Sequence, residues 1–192
     1  MSRTVEFWYD LISPYSYAAL ARLEELPEDV TIQPRLLLLG AVLKHHDQIG
    51  PAEREPKRTF IYRQSVHLIA SLGLPAKFPP RHPFNPLAAD RLLAGANEGA
   101  GATLEQVRTA FSLIFGEGMA VDTEEGLVAL ARKLGMDPAL ASAPASKERL
   151  KKNTGEAIDS GVFGVPAFVP VEADGTKGPV FWGVDGMGLL KD

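Results

Sequence analysis

The sequence predicts an α/β fold with strands near both ends of the chain and helices between them. Residues 4–9 form an apolar run rich in aromatic and β-branched side chains, and a second apolar run covers residues 30–39. In the middle of the chain the apolar positions follow helical spacing, with frequent stop signals. We therefore expect a sheet-containing domain formed by residues 1–42 and 146–192, with residues 43–145 as a helical insertion domain.

The first part of the chain reads as a βαβ unit. Ser13 has the chemistry of a helix N-cap and Pro14 suits the first helical position, which predicts a helix over residues 14–26. The second strand contains Pro34, which cannot donate a backbone hydrogen bond and so favours an edge of the sheet. A strand, a helix and a strand at this spacing predict two parallel strands.

The helical middle is marked by capping patterns. Thr103 with Gln106, and Asp122 with Glu125, each form the pattern of a capping box at the start of a helix. The other predicted helices cover residues 56–72, residues 86–97, a short stretch from Asp137, and residues 146–160.

The end of the chain favours two short strands and a helix. Ala167–Val171 is an apolar run that follows Pro166, and residues 180–182 form another after a turn-rich stretch. Asp185 has the chemistry of an N-cap for a terminal helix. The chain therefore returns to the sheet after the helical middle.

Composition and charge bound the classes of function. The chain has 192 residues, of which 45% are hydrophobic and 23% are charged, as in ordinary globular proteins. A formal charge of −4 gives no extended positive surface, so we expect neither nucleic acid nor a membrane as partner. No apolar run has the length of a membrane span or the form of a signal peptide, which predicts a cytoplasmic location.

The chain contains no cysteine. This excludes disulfides, thiolate metal sites and a thiol nucleophile that belongs to the protein itself. His45 and His46 are adjacent, so their side chains diverge, and no third ligand follows at a suitable spacing; we expect no metal site. A thiolate that takes part in the chemistry must come from a cofactor.

Four segments carry a family resemblance. Ser13-Pro14-Tyr15-Ser16 looks like the C-P-Y-C redox motif with each sulfur replaced by oxygen, and it lies within FWYDLISPYSYAALARL. The others are GVFGVPAF at residues 161–168, FWGVD at 181–185 and PFNP at 83–86. Together they resemble the 2-hydroxychromene-2-carboxylate isomerases and the related kappa-class glutathione transferases, the serine branch of the DsbA-like thioredoxin superfamily. The resemblance implies a thioredoxin-like fold with a large all-helical insertion domain, of the DsbA or kappa-class type.

Ser13 has two interpretations. From the residues alone, a serine at this position is an ordinary helix N-cap. In the family that the chain resembles, the matching hydroxyl donates a hydrogen bond to the sulfur of bound glutathione. A hydroxyl donor beside a helix N-terminus stabilises a thiolate over a thiol and so lowers the pKa of the thiol. The resemblance therefore implies that Ser13 is catalytic and that glutathione is the cofactor.

The resemblance also implies how the rest of glutathione is bound. Taken alone, Pro166 is a turn proline, but it matches the family's cis-proline, and the backbone of Val165 then pairs with the cysteinyl part of glutathione. Trp182 and Asp185 lie in the matching segment near the end, where a carboxylate takes the γ-glutamyl amino group. The arginine that follows this aspartate in the family is replaced by Gly186, which removes a charge-assisted contact.

Three polar residues in the middle of the chain are further candidates. Gln48 is a candidate contact to glutathione, and His46 and Asn85 are candidate contacts to the substrate. For each of them a solvated loop or a cap is the alternative interpretation.

The predicted function is a glutathione-dependent isomerase that acts on 2-hydroxychromene-2-carboxylate or a similar aromatic unsaturated keto acid. As the resemblance implies, reversible addition of the thiolate turns a double bond into a single bond and allows rotation before the thiol leaves. Two alternatives stay open, a kappa-like glutathione S-transferase and a non-catalytic, redox-dead thioredoxin-like binding module. Family members are commonly dimers, so we also expect a homodimer.

Overall fold

The computed structural model describes residues 3–191, which contain a mixed sheet of four strands. β1 (Arg3–Tyr9) pairs in parallel with β2 (Val30–Leu36) and antiparallel with β3 (Ala167–Val171). β4 (Phe181–Trp182) lies antiparallel to β3, which gives the order β2-β1-β3-β4. The parallel pairing and the edge position of the proline-containing strand are both confirmed.

The chain between β2 and β3 is helical. The α-helices of the described residues are α1 (Pro14–Arg22), α2 (Leu39–His45), α3 (Lys57–Ser71), α4 (Leu87–Ala94), α5 (Ala96–Gly99), α6 (Leu104–Phe111), α7 (Glu124–Lys133), α8 (Pro144–Asp159) and α9 (Gly183–Lys191). A βαβ unit, a helical segment and a returning ββα unit make a thioredoxin-like fold with a helical insertion. The predicted fold class is confirmed.

Two predicted element ends were wrong near the start of the chain. The second strand ends at Leu36 and α2 begins at Leu39, because the Asp10 carboxylate accepts a hydrogen bond from the Leu39 N–H at 2.7 Å. A carboxylate at the start of a helix satisfies N–H groups that have no partner within it. The helix that starts at Pro14 ends at Arg22 and is followed by a 3₁₀-turn.

Of the two capping boxes predicted in the insertion, one is confirmed and the other is wrong. The Thr103 capping box is confirmed, since the Gln106 N–H donates to Thr103 Oγ1 at 3.2 Å and the Thr103 N–H donates to Gln106 Oε1 at 2.9 Å. The capping box at Asp122 is wrong, because Thr123 is the N-cap of α7. The start of α8 is also earlier than predicted, at Pro144.

The main hydrophobic core is continuous from β1 into the helical segment. Phe7 stacks on Phe168 of β3 with ring centroids 5.4 Å apart, and Tyr9 meets Phe111 of α6 edge-on at 5.9 Å. A second cluster around Trp8 covers the opposite face of the sheet. The division into two domains stays a prediction, and residues 1–2 and 192 of that division lie outside the described residues.

Candidate active site

The turn between β1 and α1 presents Ser13. The Ser13 N–H donates to Asp10 O at 3.0 Å, and Ser13 Oγ accepts from the Ser16 N–H at 3.1 Å, so Ser13 is the N-cap of α1 as predicted. A serine hydroxyl has one hydrogen to donate, and no acceptor for that hydrogen lies among residues 3–191. The Ser13 hydroxyl, at the positive N-terminal end of α1, is therefore free to donate a hydrogen bond to a ligand.

Two side chains fix the turn before Ser13. Asp10 Oδ1 accepts from the Ile12 N–H at 2.9 Å, while its other oxygen accepts from Leu39. His82 Nε2 lies 2.8 Å from Ile12 O, so this nitrogen is the one that carries a hydrogen. The proline-rich loop with His82 and the start of α2 thus both contact the Ser13 turn.

The predicted cis-proline segment begins β3. The Val165–Pro166 peptide bond is cis, as the resemblance implies. The pairing of β1 with β3 ends at Trp8 and Ala167, so Val165 and Pro166 run alongside the residues that lead to the Ser13 turn. The N–H and C=O of Val165 make no hydrogen bond within the described chain. Free backbone groups at a strand end are what an added extended peptide pairs with.

Trp182 packs on the cis-proline segment. Its indole ring lies 5.3 Å from the ring of Phe163, and a Cβ on Gly164 would come within 2.8 Å of the indole nitrogen. Glycine at this position therefore permits the close contact. Trp182 as a whole is still 54% exposed, which leaves an apolar surface available beside the segment.

Asp185 lies inside the first turn of α9 and is exposed. The N-cap prediction was wrong, because Gly183 at φ 80° turns the chain from β4 directly into the helix. Gly186 is buried, and a Cβ there would lie 3.1 Å from the carbonyl carbon of Phe181. Gly186 therefore lies where α9 packs closely against the backbone of β4.

The three remaining candidates occupy different places. His46 directly follows α2, and its Nε2 lies 3.3 Å from Val162 O, next to the cis-proline segment. Gln48 is exposed and lines an open hollow of about 390 Å³. Asn85 accepts a hydrogen bond from the Leu87 N–H at 3.1 Å, which is a local capping role before α4. Their contacts to ligands stay predictions.

Asp10 lies within electrostatic range of a second acid, Asp90 of α4, and both are fully buried. Burial raises the pKa of Asp10 to about 6, although the hydrogen bonds from Ile12 and Leu39 act in the opposite direction. Burial and the charge of Asp10 raise the pKa of Asp90 well above its ordinary value, while the Leu11 N–H lowers it. This pair is the most strongly perturbed acidic group near Ser13.

The sequence reasoning missed Asp10, Asp90 and His82. An available signal for the acids was the placement of each in an apolar setting, Asp10 directly after a buried strand and Asp90 between alanines and leucines. His82 gave no such signal, because its role depends on a contact to the distant Ile12.

A hydroxyl donor, a helix N-terminus and a free peptide edge together suit an anionic group on a peptide-like ligand. Within the described ranges no group of three or more His, Cys, Asp or Glu side chains is arranged to bind a metal ion. None of the helices described has the length and apolar character that crossing a membrane requires.

Comparisons with known proteins agree with each other. The DSBA-like thioredoxin domain matches residues 4–192. A 2-hydroxychromene-2-carboxylate isomerase from Pseudomonas putida is 30% identical, covering 97% of this chain and 92% of the relative. Glutathione S-transferase kappa 1 from Homo sapiens is 27% identical, covering 99% and 90%. A solved structure of 2-hydroxychromene-2-carboxylate isomerase has a TM-score of 0.75 and 28% identity, covering 97% of this chain and 92% of that chain.

Proposed function

The chain belongs to the DsbA-like thioredoxin family, together with the 2-hydroxychromene-2-carboxylate isomerases, and from this premise we propose that it is a glutathione-dependent isomerase. The proposed substrate is 2-hydroxychromene-2-carboxylate or a similar aromatic unsaturated keto acid. The observation that carries the proposal is the Ser13 hydroxyl, whose hydrogen is uncommitted at the N-terminus of α1.

The residues around Ser13 fit glutathione. Val165 offers an unpaired N–H and C=O to the cysteinyl part, and Trp182 offers an exposed ring beside them. Asp185 is exposed and offers a carboxylate to the γ-glutamyl amino group. Gly186 offers no cation to the γ-glutamyl carboxylate, so we expect weaker binding than an arginine there would give.

When bound, glutathione supplies a thiolate that adds reversibly to a conjugated double bond and leaves after rotation. Ser13 donates its hydrogen to the sulfur, and the α1 N-terminus favours negative charge there. Val165 orients the cysteinyl part through its backbone. His46 and Asn85 face the substrate between the sheet and the insertion, with Gln48 on the glutathione side. The reaction consumes no oxidant or reductant because the thiol is regenerated.

Ser13→Ala tests the proposal, with Ser16→Ala as a matched control. Ser16 lies one turn further along α1, is fully buried, and its hydroxyl has no partner in the described chain. We expect Ser13→Ala to lower kcat/KM at least about 100-fold, as loss of a charge-stabilising donor does, and Ser16→Ala to stay within about twofold. The measurement is the absorbance change of 2-hydroxychromene-2-carboxylate with and without glutathione.

Calorimetric titration of glutathione completes this test. Binding that disappears in Ser13→Ala and persists in Ser16→Ala supports the proposal. Turnover that does not need glutathione would exclude the proposed role of glutathione. No turnover together with no heat at millimolar glutathione would exclude the isomerase in favour of a non-catalytic thioredoxin-like binding module.

The human kappa relative supports a second candidate, conjugation at the same site. A transferase releases the thioether, so free thiol disappears in proportion to substrate, whereas an isomerase leaves the free thiol constant. Measuring the free thiol during turnover therefore separates the two.

The proposal also covers the oligomeric state, the location and the domains of the enzyme. We propose a homodimer in the cytoplasm, where glutathione keeps thiols reduced. We also propose that residues 1–42 and 146–192 form one domain and residues 43–145 the insertion. Light scattering of the purified protein gives the mass that tests the dimer.

A further inference from the structure

His82 connects the helical insertion to the Ser13 turn. It lies in the proline-rich loop and is half-buried, and four aromatic rings meet its ring edge-on. The distances between ring centroids are 5.4 Å to Tyr62 of α3, 5.5 Å to Phe78, and 5.8 Å to Phe84 and Phe115. Close packing on several sides restricts the orientation of the imidazole.

The hydroxyl of Tyr62 contacts both the backbone and the ring of His82. It donates to His82 O at 2.5 Å, and its oxygen lies 3.1 Å from His82 Nδ1. The other ring nitrogen, Nε2, lies 2.8 Å from Ile12 O. A carbonyl oxygen only accepts hydrogen bonds, so Nε2 is the donor. These contacts form a continuous chain from α3 through His82 to the residue before Ser13.

The same helix contacts the chain after Ser13. The hydroxyl of Tyr15, two residues further on, donates to Gln64 Oε1 at 2.7 Å. Gln64 belongs to α3, as Tyr62 does. α3 therefore reaches the turn at two independent places, one before Ser13 and one after it.

We propose that His82 is a positioning residue for Ser13: its Nε2–H holds Ile12 O, and Tyr62 holds His82 in place. Ile12 O belongs to the same peptide group as the Ser13 N–H, which donates to Asp10 O at 3.0 Å. Because a peptide group is planar, hydrogen bonds at its oxygen and at its N–H fix its orientation. That orientation sets the direction in which the Ser13 side chain leaves the backbone.

The first experiment uses the wild-type protein without glutathione. Burial lowers the pKa of His82, although the hydrogen bond to Ile12 acts in the opposite direction, so the ring is neutral near pH 7 and has one hydrogen. Nitrogen-15 NMR of the histidine rings identifies the nitrogen that carries it, and the His82 signals are those that His82→Gln lacks. We expect the Nε2–H tautomer. The Nδ1–H tautomer would overturn the inference, because Ile12 O would then have no donor.

The second experiment compares two substitutions of His82. His82→Phe keeps an aromatic ring in the cluster and removes the donor, whereas His82→Gln keeps a donor near the position of Nε2. We expect amide hydrogen exchange at Ser13 to be about tenfold faster in His82→Phe and to stay within about threefold in His82→Gln. The control is His67→Phe, an exposed histidine of α3, which should leave the Ser13 amide unchanged.

Tyr62→Phe tests the contact that holds His82. It removes only the hydroxyl, so we expect exchange at Ser13 to become faster, by no more than in His82→Phe. The double variant should exchange no faster than His82→Phe alone, because both substitutions act through one hydrogen bond. Additive effects of the two substitutions would contradict this chain of contacts.

Equal exchange rates at Ser13 in His82→Phe and His82→Gln would contradict positioning through the hydrogen bond. If His82→Phe does not fold, the wild-type tautomer and Tyr62→Phe still decide the matter. The catalytic consequence rests on the proposed function: the pKa of the bound glutathione thiol, measured from thiolate absorbance, should rise in His82→Phe and be restored in His82→Gln. The exchange experiments contain no thiol, so their failure is distinguishable from a failure of the proposed function.

Discussion

Two buried carboxylate sites lie on or next to β1. Cations surround Glu6, whereas Asp10 lies near a second acid. Glu6, in the middle of the strand, is only 4% exposed. Its partners are the Lys177 ammonium at 2.9 Å, the Trp8 indole N–H at 3.1 Å and the Arg35 guanidinium at 3.5 Å. Asp10, one residue after the strand, is fully buried and meets backbone N–H groups and a second acid, Asp90.

The difference separates a carboxylate that stabilises the fold from a pair placed at a site. At Glu6 the buried charge is neutralised, and Arg35 also pairs with Glu156, which joins β2 to α8. At Asp10 and Asp90 no side-chain cation among the described residues balances the acids, and their pKa values are raised. Perturbed acids are concentrated at functional sites, where they cost stability. In this protein the buried acids that lower stability in this way lie near the Ser13 turn.

The largest expected effect is on the pH dependence of stability. Folded Asp90 keeps a proton that the unfolded chain releases near the ordinary pKa of 3.8, so rising pH favours the unfolded chain. The wild type loses about 1.4 kcal/mol of stability for each pH unit over which folded Asp90 keeps a proton that the unfolded chain has released, and Asp90→Asn does not lose it. We therefore expect the free energy of unfolding of Asp90→Asn, relative to wild type, to increase as the pH rises from about 5 to about 8.

Urea unfolding at three values of pH measures this difference. Asp122→Asn is the control for the loss of one carboxyl group, because Asp122 lies in the helical insertion and pairs with Arg81 rather than with a second acid. A constant difference between Asp90→Asn and the wild type would mean that Asp90 ionises normally, and the contrast with Glu6 would then disappear.

A smaller effect is expected when the neutralised site loses a cation. Arg35→Met leaves Glu6 and Glu156 with weaker partners, and removing one member of a buried ion pair is expected to lower the free energy of unfolding by about 3 kcal/mol. The control is Arg3→Met, since Arg3 and Asp29 are exposed and 3.9 Å apart, and such pairs contribute less than about 0.5 kcal/mol. A loss as small as that of Arg3→Met would show that Arg35 does not stabilise the Glu6 site.

The order of the elements could be predicted because it depends on local patterns. Apolar runs predicted β1 and the strand Ala167–Val171, and the Thr103 capping box marked the start of α6. The start of α2 could not be predicted in this way. It depends on the Asp10 carboxylate, which lies 29 residues earlier and reaches Leu39 only in the folded chain.

The residues of the candidate site show the same difference between local patterns and long-range contacts. Ser13 and Pro166 were identifiable because they lie within contiguous motifs that resemble a family. His82 contacts the same turn from a distant part of the chain, 70 residues after Ile12, and Asp90 of α4 interacts electrostatically with Asp10 at the start of the turn. No spacing rule connects such residues, since only packing of the insertion against the sheet brings them together. The residues that hold the turn could therefore not be predicted from the sequence.

The smallest expected effect tests whether Glu6 needs two cations. Lys177 is about one-third exposed and Arg35 remains, so Lys177→Met should lower the free energy of unfolding by about 1 kcal/mol. Lys152→Met is the matched control, because Lys152 is exposed and lies 3.8 Å from Glu156, where a helical pair contributes about 0.3 kcal/mol. Urea unfolding of both variants gives the comparison. Equal losses would show that Arg35 alone neutralises Glu6, and the two carboxylate sites would then differ by a single guanidinium.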